Sequence, residues 1–280
     1  MNYEFGPKPW HQSNWDLRAA LNFIFGGAGA GLLVVAAFSG LAGGALRAEI
    51  VLGMALIGAG LISVWFEIGR PLRAIHVGFN PFTSWMTRES FAAGAAFALG
   101  LSAAWLGSQA VAQAAAFAAL IFAYCQGRML QGAKGIPAWR VPALAWLIFI
   151  TALAEGAGLF VVLATLFDTP AKGVLAYFSL ALVARGVAWS IYRGSVAKST
   201  VRPALAALDR AGKILIQFGT LAPLALLLLG VVAAETGYVA LLLAGVAALA
   251  TGWQFKFVLI TRAAYNQGFA LPHLPVRGTR

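Results

Sequence analysis

The sequence predicts an all-α integral membrane protein with eight transmembrane helices, and three observations support this fold class. The 280 residues are 61% hydrophobic and only 10% charged, with a mean hydropathy of +0.82, whereas about a quarter of the residues in soluble domains are charged. Eight apolar runs are long enough to cross the roughly 30 Å hydrocarbon core of a bilayer. The positive charges concentrate in alternate connections between these runs, as the orientation of a membrane protein requires.

The first four predicted spans occupy the N-terminal half, at 17–41, 50–68, 90–107 and 110–127. The third and fourth spans form one apolar block. We divide it at Gly107-Ser108-Gln109, because a single helix there would greatly exceed the bilayer thickness. The glycine-rich segment 26–31 lies inside an apolar span with no preceding strand, so it predicts close helix packing rather than a nucleotide-binding loop.

The second four predicted spans run approximately over 141–167, 171–192, 211–234 and 237–260. Before the seventh span, residues 199–210 predict a short amphipathic helix on the membrane surface. Prolines at 272 and 275 predict an extended tail. The expected divisions are an N-terminal arm (1–16), a first four-helix bundle (17–127), a connecting loop (128–140), a second four-helix bundle (141–261) and an extended C-terminal tail (262–280).

The charge distribution predicts the orientation of the chain. The formal net charge is +11, and all but three of the 20 Lys and Arg residues lie on or near the side that carries both termini. The exceptions are Arg47, Lys172 and Arg185. By the positive-inside rule, both termini face the cytoplasm. The expected location is the cytoplasmic membrane of a bacterium or archaeon. Membrane orientation explains the basic charge, so no nucleic-acid partner is expected, and the long basic loops are expected to dock a soluble partner.

The Cys and His content argues against a redox centre within this chain. A single cysteine, Cys125, cannot build a disulfide or a Cys-ligated iron–sulfur cluster on its own. His11, His76 and His273 lie outside the spans, whereas haem in a membrane bundle is usually held by histidines on the helices. We therefore expect no haem, cluster or metal here, and His76 is either a proton donor or an ordinary solvated histidine.

The loop between the second and third spans carries several candidate residues. Pro71 is expected to end the second span near Arg70, and Thr87 with Glu89 to cap the third helix. The arginines of this loop would lie at the lipid–water boundary, where binding to lipid phosphates is the alternative to a functional role. Together they form the predicted roof of a site beneath the loop.

Strongly polar residues are expected to form a belt just below the cytoplasmic surface. Such a belt suits a quinone headgroup, whose two carbonyl oxygens must be held and then protonated. A belt of interhelical hydrogen bonds without a ligand is the alternative. Counting about 1.5 Å per residue, the members at roughly 8 to 10 Å are Asn22, Arg185, Gln217, Gln254 and Lys256, with Tyr124 and Glu67 somewhat shallower.

Glu155 is expected deeper, at roughly 20 Å. A salt bridge with Arg185 would need favourable helix offsets. Glu155 is then either a proton-accepting carboxyl group connected by water to the belt or a neutral, hydrogen-bonded structural residue.

Three short motifs support a family resemblance. The arm GPKPWHQSNWDLRAALNF, the GRPLRA that closes the second span and the SWMTRE that opens the third resemble the membrane-anchor subunits of the polysulfide reductase and dimethyl sulfoxide reductase family, often called the NrfD family. The similarity extends over the eight-span layout. Within the family, the arm most resembles the membrane subunit of phenylacetyl-CoA:acceptor oxidoreductases.

The resemblance implies a three-subunit complex. A molybdopterin catalytic subunit and a four-cluster ferredoxin-like iron–sulfur subunit would dock on this haem-free anchor, which would bind ubiquinone or menaquinone. By position, the family's quinone contacts fall on Arg18 or Asn22 and on Tyr124. Asn22 replaces a family histidine and cannot supply a titratable proton, so Glu67 or water bound to Arg18 would serve.

The expected function is to pass electrons from a partner's iron–sulfur cluster to membrane quinone, with a coenzyme A thioester as a fitting cytoplasmic substrate of the complex. The alternatives are an ion- or proton-translocating or transporter subunit, and a purely structural anchor. The predicted quinone-binding residues are Arg18, Asn22, Arg70, Tyr124 and Lys256; the predicted proton-delivery or proton-path residues are Glu67, His76, Glu155 and Arg185.

Overall fold

The computed structural model describes residues 8–67, 71–167, 172–233 and 237–268. Within these ranges the chain is helical, and the only extended pairing is an isolated bridge between His11 and Tyr265. The α-helices are α1 Leu17–Phe38, α2 Gly43–Trp65, α3 Trp85–Leu106, α4 Gln109–Gly132, α5 Pro142–Phe167, α6 Lys172–Val196, α7 Arg202–Ile216, α8 Ala222–Val232 and α9 Gly237–Thr261.

The predicted fold class is confirmed. In the described part of the chain, eight helical segments are long and apolar enough to cross a membrane. Seven are single helices, and the eighth, Arg202–Val232, joins α7 and α8 through the π-helical turn Gln217–Leu221. Each span satisfies its backbone hydrogen bonds internally, as the bilayer interior requires.

Helix α1 lies at the centre of the protein and packs against α2, α4, α5 and α9. Its contact with α5 is unusually close, because a Cβ atom at Gly31 would overlap the carbonyl oxygen of Ala152. A Cβ atom at Gly156 would likewise overlap the backbone of Gly31. The glycine-rich segment therefore serves close helix packing, as predicted. Helix α1 belongs to the first predicted bundle and α5 to the second, so this contact joins the two. The division into two four-helix bundles stays a prediction.

The predicted hairpin in the long apolar block is also confirmed. Helix α3 ends at Leu106, and the capping residue Gly107 has a φ of +66°, in the left-handed region that glycine adopts without strain. Ser108 then caps α4, since its side chain accepts a hydrogen bond from the Val111 amide at 3.4 Å.

The amphipathic helix predicted at 199–210 is present, but it is not a separate helix on the membrane surface. Helix α7 begins at Arg202, with Pro203 in its first turn, and continues into the seventh span. Its apolar face is buried in the protein, with Ala204 and Leu208 fully buried in the same cluster as Tyr192. The amphipathic pattern was real, but its apolar stripe faces neighbouring helices instead of lipid.

The loop before α3 also differs from the prediction. Pro71–Phe79 forms a 3-10 helix, and α3 begins at Trp85 with Ser84 as its N-cap, accepting from the Thr87 amide at 3.2 Å. Glu89 does not cap the helix, because its side chain is buried in the bundle. Arg70, at the predicted end of the second span, lies outside the described residues.

The N-terminal arm and the segment after α9 pair at one end of the protein. The Gln12 amide donates to the Ala264 carbonyl at 2.9 Å, and the Asn266 amide donates to Trp10 at 3.0 Å. The predicted extended tail at 272–276 lies outside the described residues. The cytoplasmic orientation stays a prediction.

Candidate functional site

The Tyr124 hydroxyl group lies near the end of α4 and accepts a hydrogen bond from Arg128 Nη1 at 2.7 Å. A phenol has one donor proton in addition to its acceptor lone pairs. Among the described residues, no acceptor takes the Tyr124 proton. Tyr124 can therefore donate this proton to a ligand oxygen while Arg128 fixes the orientation of its ring.

Aromatic side chains surround Tyr124 on the outer surface of the bundle. Ring centroids lie 6.2 Å away for Trp85 on α3, and 5.5 Å and 6.3 Å away for Trp146 and Phe149 on α5. Arg128 also lies over the Trp85 ring, 4.3 Å from its centroid. Trp146 is 54% exposed within a membrane span, so this aromatic cluster opens toward lipid.

A buried polar cluster connects α1, α3 and α4. Asn22 Nδ2 donates to Glu89 Oε1 at 3.2 Å, and Gln126 Nε2 donates to the Asn22 carbonyl at 2.9 Å. The Gln126 side chain also interacts with the Glu89 carboxyl group. These three residues are at most 3% exposed. Both amide oxygens, Asn22 Oδ1 and Gln126 Oε1, lack a donor among the described residues, which leaves room in the hydrogen-bonding pattern for a proton donor such as water.

Helix α3 contributes one residue to the aromatic cluster around Tyr124 and one to the buried polar cluster. Trp85 and Glu89 are four residues apart, so they lie on the same face of the helix, one turn from each other. Trp85 contacts Tyr124, and Glu89 contacts Asn22. The lipid-facing aromatic cluster and the buried carboxyl group are thus adjacent features of one helix face.

Arg18 lies at the surface, at the start of α1. It pairs with Asp16 at 2.9 Å and donates to the Phe66 carbonyl at 3.0 Å. The hydrogen bond from Arg18 lowers the pKa of Asp16 below its ordinary value. Partial burial, and then the Asp16 charge, raise the pKa of Glu67, an effect that the Arg18 charge opposes. Arg18 and Glu67 thus form a surface cluster, and neither residue contacts Tyr124.

His76 lies in the 3-10 helix, exposed, with its ring centroid 5.5 Å from that of Phe79. His76 is therefore at the edge of the protein. Arg70, the other predicted residue of this loop, lies outside the described residues.

Lys256 and Glu155 form a fully buried ion pair between α9 and α5. Lys256 Nζ lies 2.5 Å from Glu155 Oε2 and donates to the Phe23 carbonyl of α1 at 2.8 Å. Glu155 thus pairs with Lys256 and not with Arg185, the pairing that would have needed favourable helix offsets. Depth counted along the helix axis placed Lys256 too shallow, because its long side chain extends further into the bundle.

Arg185, on α6, binds backbone oxygens instead of a carboxylate. Its guanidinium donates to the Ala248 carbonyl at 3.0 Å and to the Gly219 carbonyl. Gly219 belongs to the π-helical turn, whose irregular pattern presents this carbonyl to the side chain. Arg185 thus helps to hold the seventh span against α6 and α9.

The polar residues predicted as one belt form separate clusters. Asn22 joins the buried Glu89 group, Tyr124 joins the lipid-facing aromatic group, and Lys256 joins Glu155. Sequence reasoning missed the roles of Trp85, Glu89, Gln126 and Arg128. Trp85 and Glu89 both lie in SWMTRE, and their four-residue spacing at a helix start was the available signal.

No group of three or more His, Cys, Asp or Glu side chains in the described ranges is arranged to hold a metal ion.

Comparisons with known proteins identify the family. The sequence profile of the DMSO reductase anchor subunit (DmsC) family matches residues 11–261, which covers every described span. A comparison with curated proteins gave no match. Anchor subunits of this family hold the catalytic and iron–sulfur subunits of molybdoenzyme complexes at the membrane. With its eight spans and this match over most of its length, the chain belongs to the DMSO reductase anchor subunit family.

Proposed function

We propose that this anchor subunit binds membrane quinone at the Tyr124 cluster and passes electrons to it from the iron–sulfur subunit of its complex. The observation that carries the proposal is the Tyr124 hydroxyl group, which Arg128 orients while its proton remains available. A quinone carbonyl oxygen is an acceptor for such a proton. The surrounding aromatic rings suit a flat headgroup, and the opening to lipid lets an isoprenoid tail stay in the bilayer.

Proton supply is the second requirement, because reducing a quinone to a quinol takes two electrons and two protons. The buried Glu89 carboxyl group lies one helical turn from Trp85 on the same face of α3 and is linked to further polar atoms through Asn22 and Gln126. We propose Glu89 as the group that exchanges protons with the bound ring. Glu67 and His76 would exchange protons with the cytoplasm at the surface, as the sequence predicts.

Under this proposal, the residues predicted to bind quinone have different roles. Tyr124 binds the headgroup, whereas Asn22 acts through Glu89. Arg18 and Lys256 lie in other clusters, so direct contact with the same headgroup is not proposed for them. Arg70 lies outside the described residues, so its place in the roof stays a prediction.

The partner assembly is proposed as the sequence predicts it. A four-cluster ferredoxin-like subunit and a molybdopterin catalytic subunit would dock on the cytoplasmic face, with phenylacetyl-CoA as the substrate. The N-terminal arm supports this narrower assignment. A reporter fused to the C-terminus tests the orientation, because activity only outside the cytoplasm would contradict it.

A photoreactive quinone tests the binding site itself. The complex is purified with its partners, illuminated with an azidoquinone and digested, and the labelled peptides are mapped. We expect label on α4 and α5 next to Tyr124 and Trp146, and competition by unmodified quinone. Label confined to α6 or α9, or label that unmodified quinone does not displace, would contradict the proposed site.

Proton movement through the second half of the chain is a second candidate function. The fully buried Glu155 has one carboxyl oxygen, Oε1, without a donor among the described residues, although Oε2 pairs with Lys256. Ionisable residues inside a membrane span are candidates for proton relays. Replacing Glu155 with Gln separates the candidates: unchanged proton uptake by reconstituted vesicles during turnover would remove Glu155 from any proton path.

A further inference from the structure

A polar cavity of about 590 Å³ opens at the end of the protein where α3 begins and α4 ends. Its size falls within the range of small-molecule sites, roughly 300 to 1,000 Å³. It is separate from the buried Glu89 group and from the Lys256–Glu155 pair. The side chains that define its character are Thr83, Trp85, Arg128, Gln131, Lys134 and Arg140.

The cavity is strongly basic. Arg128, Lys134 and Arg140 converge on it from the end of α4 and the following loop, and none of the described residues that line it is acidic. Arg140 is held in place by Gln267, which accepts its hydrogen bond at 2.7 Å. The buried Nε donor of Arg128 has no acceptor in the described part of the chain. Three cations and an unpartnered donor make this a site for an anion with several acceptor oxygens.

Two apolar side chains that neighbour cavity-lining residues in the sequence are exposed at this end of the protein. Phe82, next to Thr83, is 87% exposed, and Met86, next to Trp85, is 44% exposed. A basic cavity beside exposed apolar side chains, at the end of the membrane spans, matches both parts of an anionic phospholipid.

We infer that the cavity binds one anionic phospholipid, with its phosphate between Lys134, Arg140 and Arg128 and its acyl chains along the exposed Phe82 and Met86 side chains. An acidic side chain of a partner protein would pair with the three cations, but it would leave the exposed Phe82 and Met86 side chains uncovered. A free phosphate ion would do the same. The lipid is the one occupant that uses both surfaces.

Native mass spectrometry of the full chain in nonionic detergent tests this inference. The protein is delipidated and titrated with dioleoylphosphatidylglycerol, dioleoylphosphatidylcholine or inorganic phosphate. The double variant Lys134→Gln/Arg140→Gln removes two cavity charges, and the matched control Lys198→Gln/Arg210→Gln removes two exposed charges elsewhere, one after α6 and one on α7. We expect one tightly bound phosphatidylglycerol, with an affinity about tenfold or more lower in the cavity variant and nearly unchanged in the control.

Four outcomes would overturn the inference. Equal affinity for phosphatidylcholine would show that the charge does not select the lipid. Inorganic phosphate that occupies the cavity as well as phosphatidylglycerol does would indicate a site for free anions. Equal losses in both double variants would indicate a general charge effect. A cavity that binds no phosphatidylglycerol in the isolated chain and is covered only when the partner subunits are bound would indicate a protein contact. If the double variant does not fold, the single variant Lys134→Gln, at an exposed position, replaces it and must still lower the affinity for phosphatidylglycerol.

Discussion

Arg128 Nη1 donates a hydrogen bond to the Tyr124 hydroxyl group across one turn of α4, at 2.7 Å. This contact distinguishes Tyr124 from a tyrosine that merely fills space, because the arginine occupies an acceptor lone pair and leaves the phenolic proton for a ligand. The ring lies among Trp85, Trp146 and Phe149 at the lipid-facing surface. Quinone binding by this anchor subunit is proposed from that arrangement.

Glu89→Gln is expected to slow quinone reduction by about 100-fold, because the amide cannot exchange the proton that the carboxyl group supplies. The fold should be retained, since the amide oxygen still accepts from Asn22. The rate is measured in the purified complex with a soluble quinone analogue. Glu49→Gln is the matched control, since Glu49 is also a buried span carboxyl group but lies near the start of α2. Equal rates for wild type and Glu89→Gln would exclude Glu89 as the proton-exchanging group.

Breaking the buried ion pair is expected to destabilise the protein. Either Lys256→Met or Glu155→Gln leaves the other group buried without its partner, at a cost of about 3 to 5 kcal/mol. The double variant should lose less than either single variant, because no unpaired charge remains. The free energy of unfolding in mixed micelles is the measurement. Additive losses in the double variant would mean that the two side chains do not interact.

Gly31→Ala is expected to loosen the contact between α1 and α5. The added methyl group overlaps the Ala152 carbonyl oxygen, which is backbone and cannot move aside cheaply. A loss of about 1 to 3 kcal/mol in stability should result, as for other overpacked interiors. Gly94→Ala is the control, since Gly94 lies in α3 with no atom within 4 Å of an added Cβ. The account of this helix contact fails if both variants unfold at the same denaturant concentration.

The surface cluster at the start of α1 makes a prediction about pH. The lowered pKa of Asp16 gives stability that is present above its usual pKa and is lost as the pH falls. The raised pKa of Glu67 has the opposite sign, so its contribution is present at low pH and is lost as the pH rises through its folded-state pKa. Arg18→Gln should raise both pKa values, because Arg18 lowers each of them.

Carboxyl NMR titrations in micelles measure these two pKa values directly. Arg47→Gln serves as the control, since Arg47 lies near the start of α2, away from the Asp16 cluster. A fall in either pKa upon the Arg18 substitution would contradict the assigned interactions.

The sequence predicted the spans well because hydrophobicity alone determines them. The break at Gly107 and Ser108 was also predictable, since the apolar block was too long for one span and a glycine followed by a serine is a local turn signal. Residues 202–210 of α7 were misplaced because an amphipathic pattern does not say whether its apolar face meets lipid or protein. Only tertiary packing decides that, here against α6 and α9.

The site was predictable only in part. Tyr124 and Asn22 followed from the family resemblance, but their separate environments depend on which way each helix is rotated. Glu89 was assigned to a cap because it directly precedes the predicted start of the third span at residue 90. Its burial arises from the earlier start of α3 at Trp85, which carries Glu89 one turn into the bundle. Lys256 reached Glu155 through the length of its side chain, which counting along the helix axis omits.

The affinity of the Tyr124→Phe variant for quinone tests the central claim most directly. The dissociation constants of soluble ubiquinone and menaquinone analogues are measured by quenching of tryptophan fluorescence in the purified complex, with Tyr238→Phe, at an exposed position on α9, as the control. Loss of one hydrogen bond predicts an affinity about fivefold to tenfold weaker for Tyr124→Phe and an unchanged affinity for the control. Equal affinities for wild type and Tyr124→Phe would contradict quinone binding at this tyrosine.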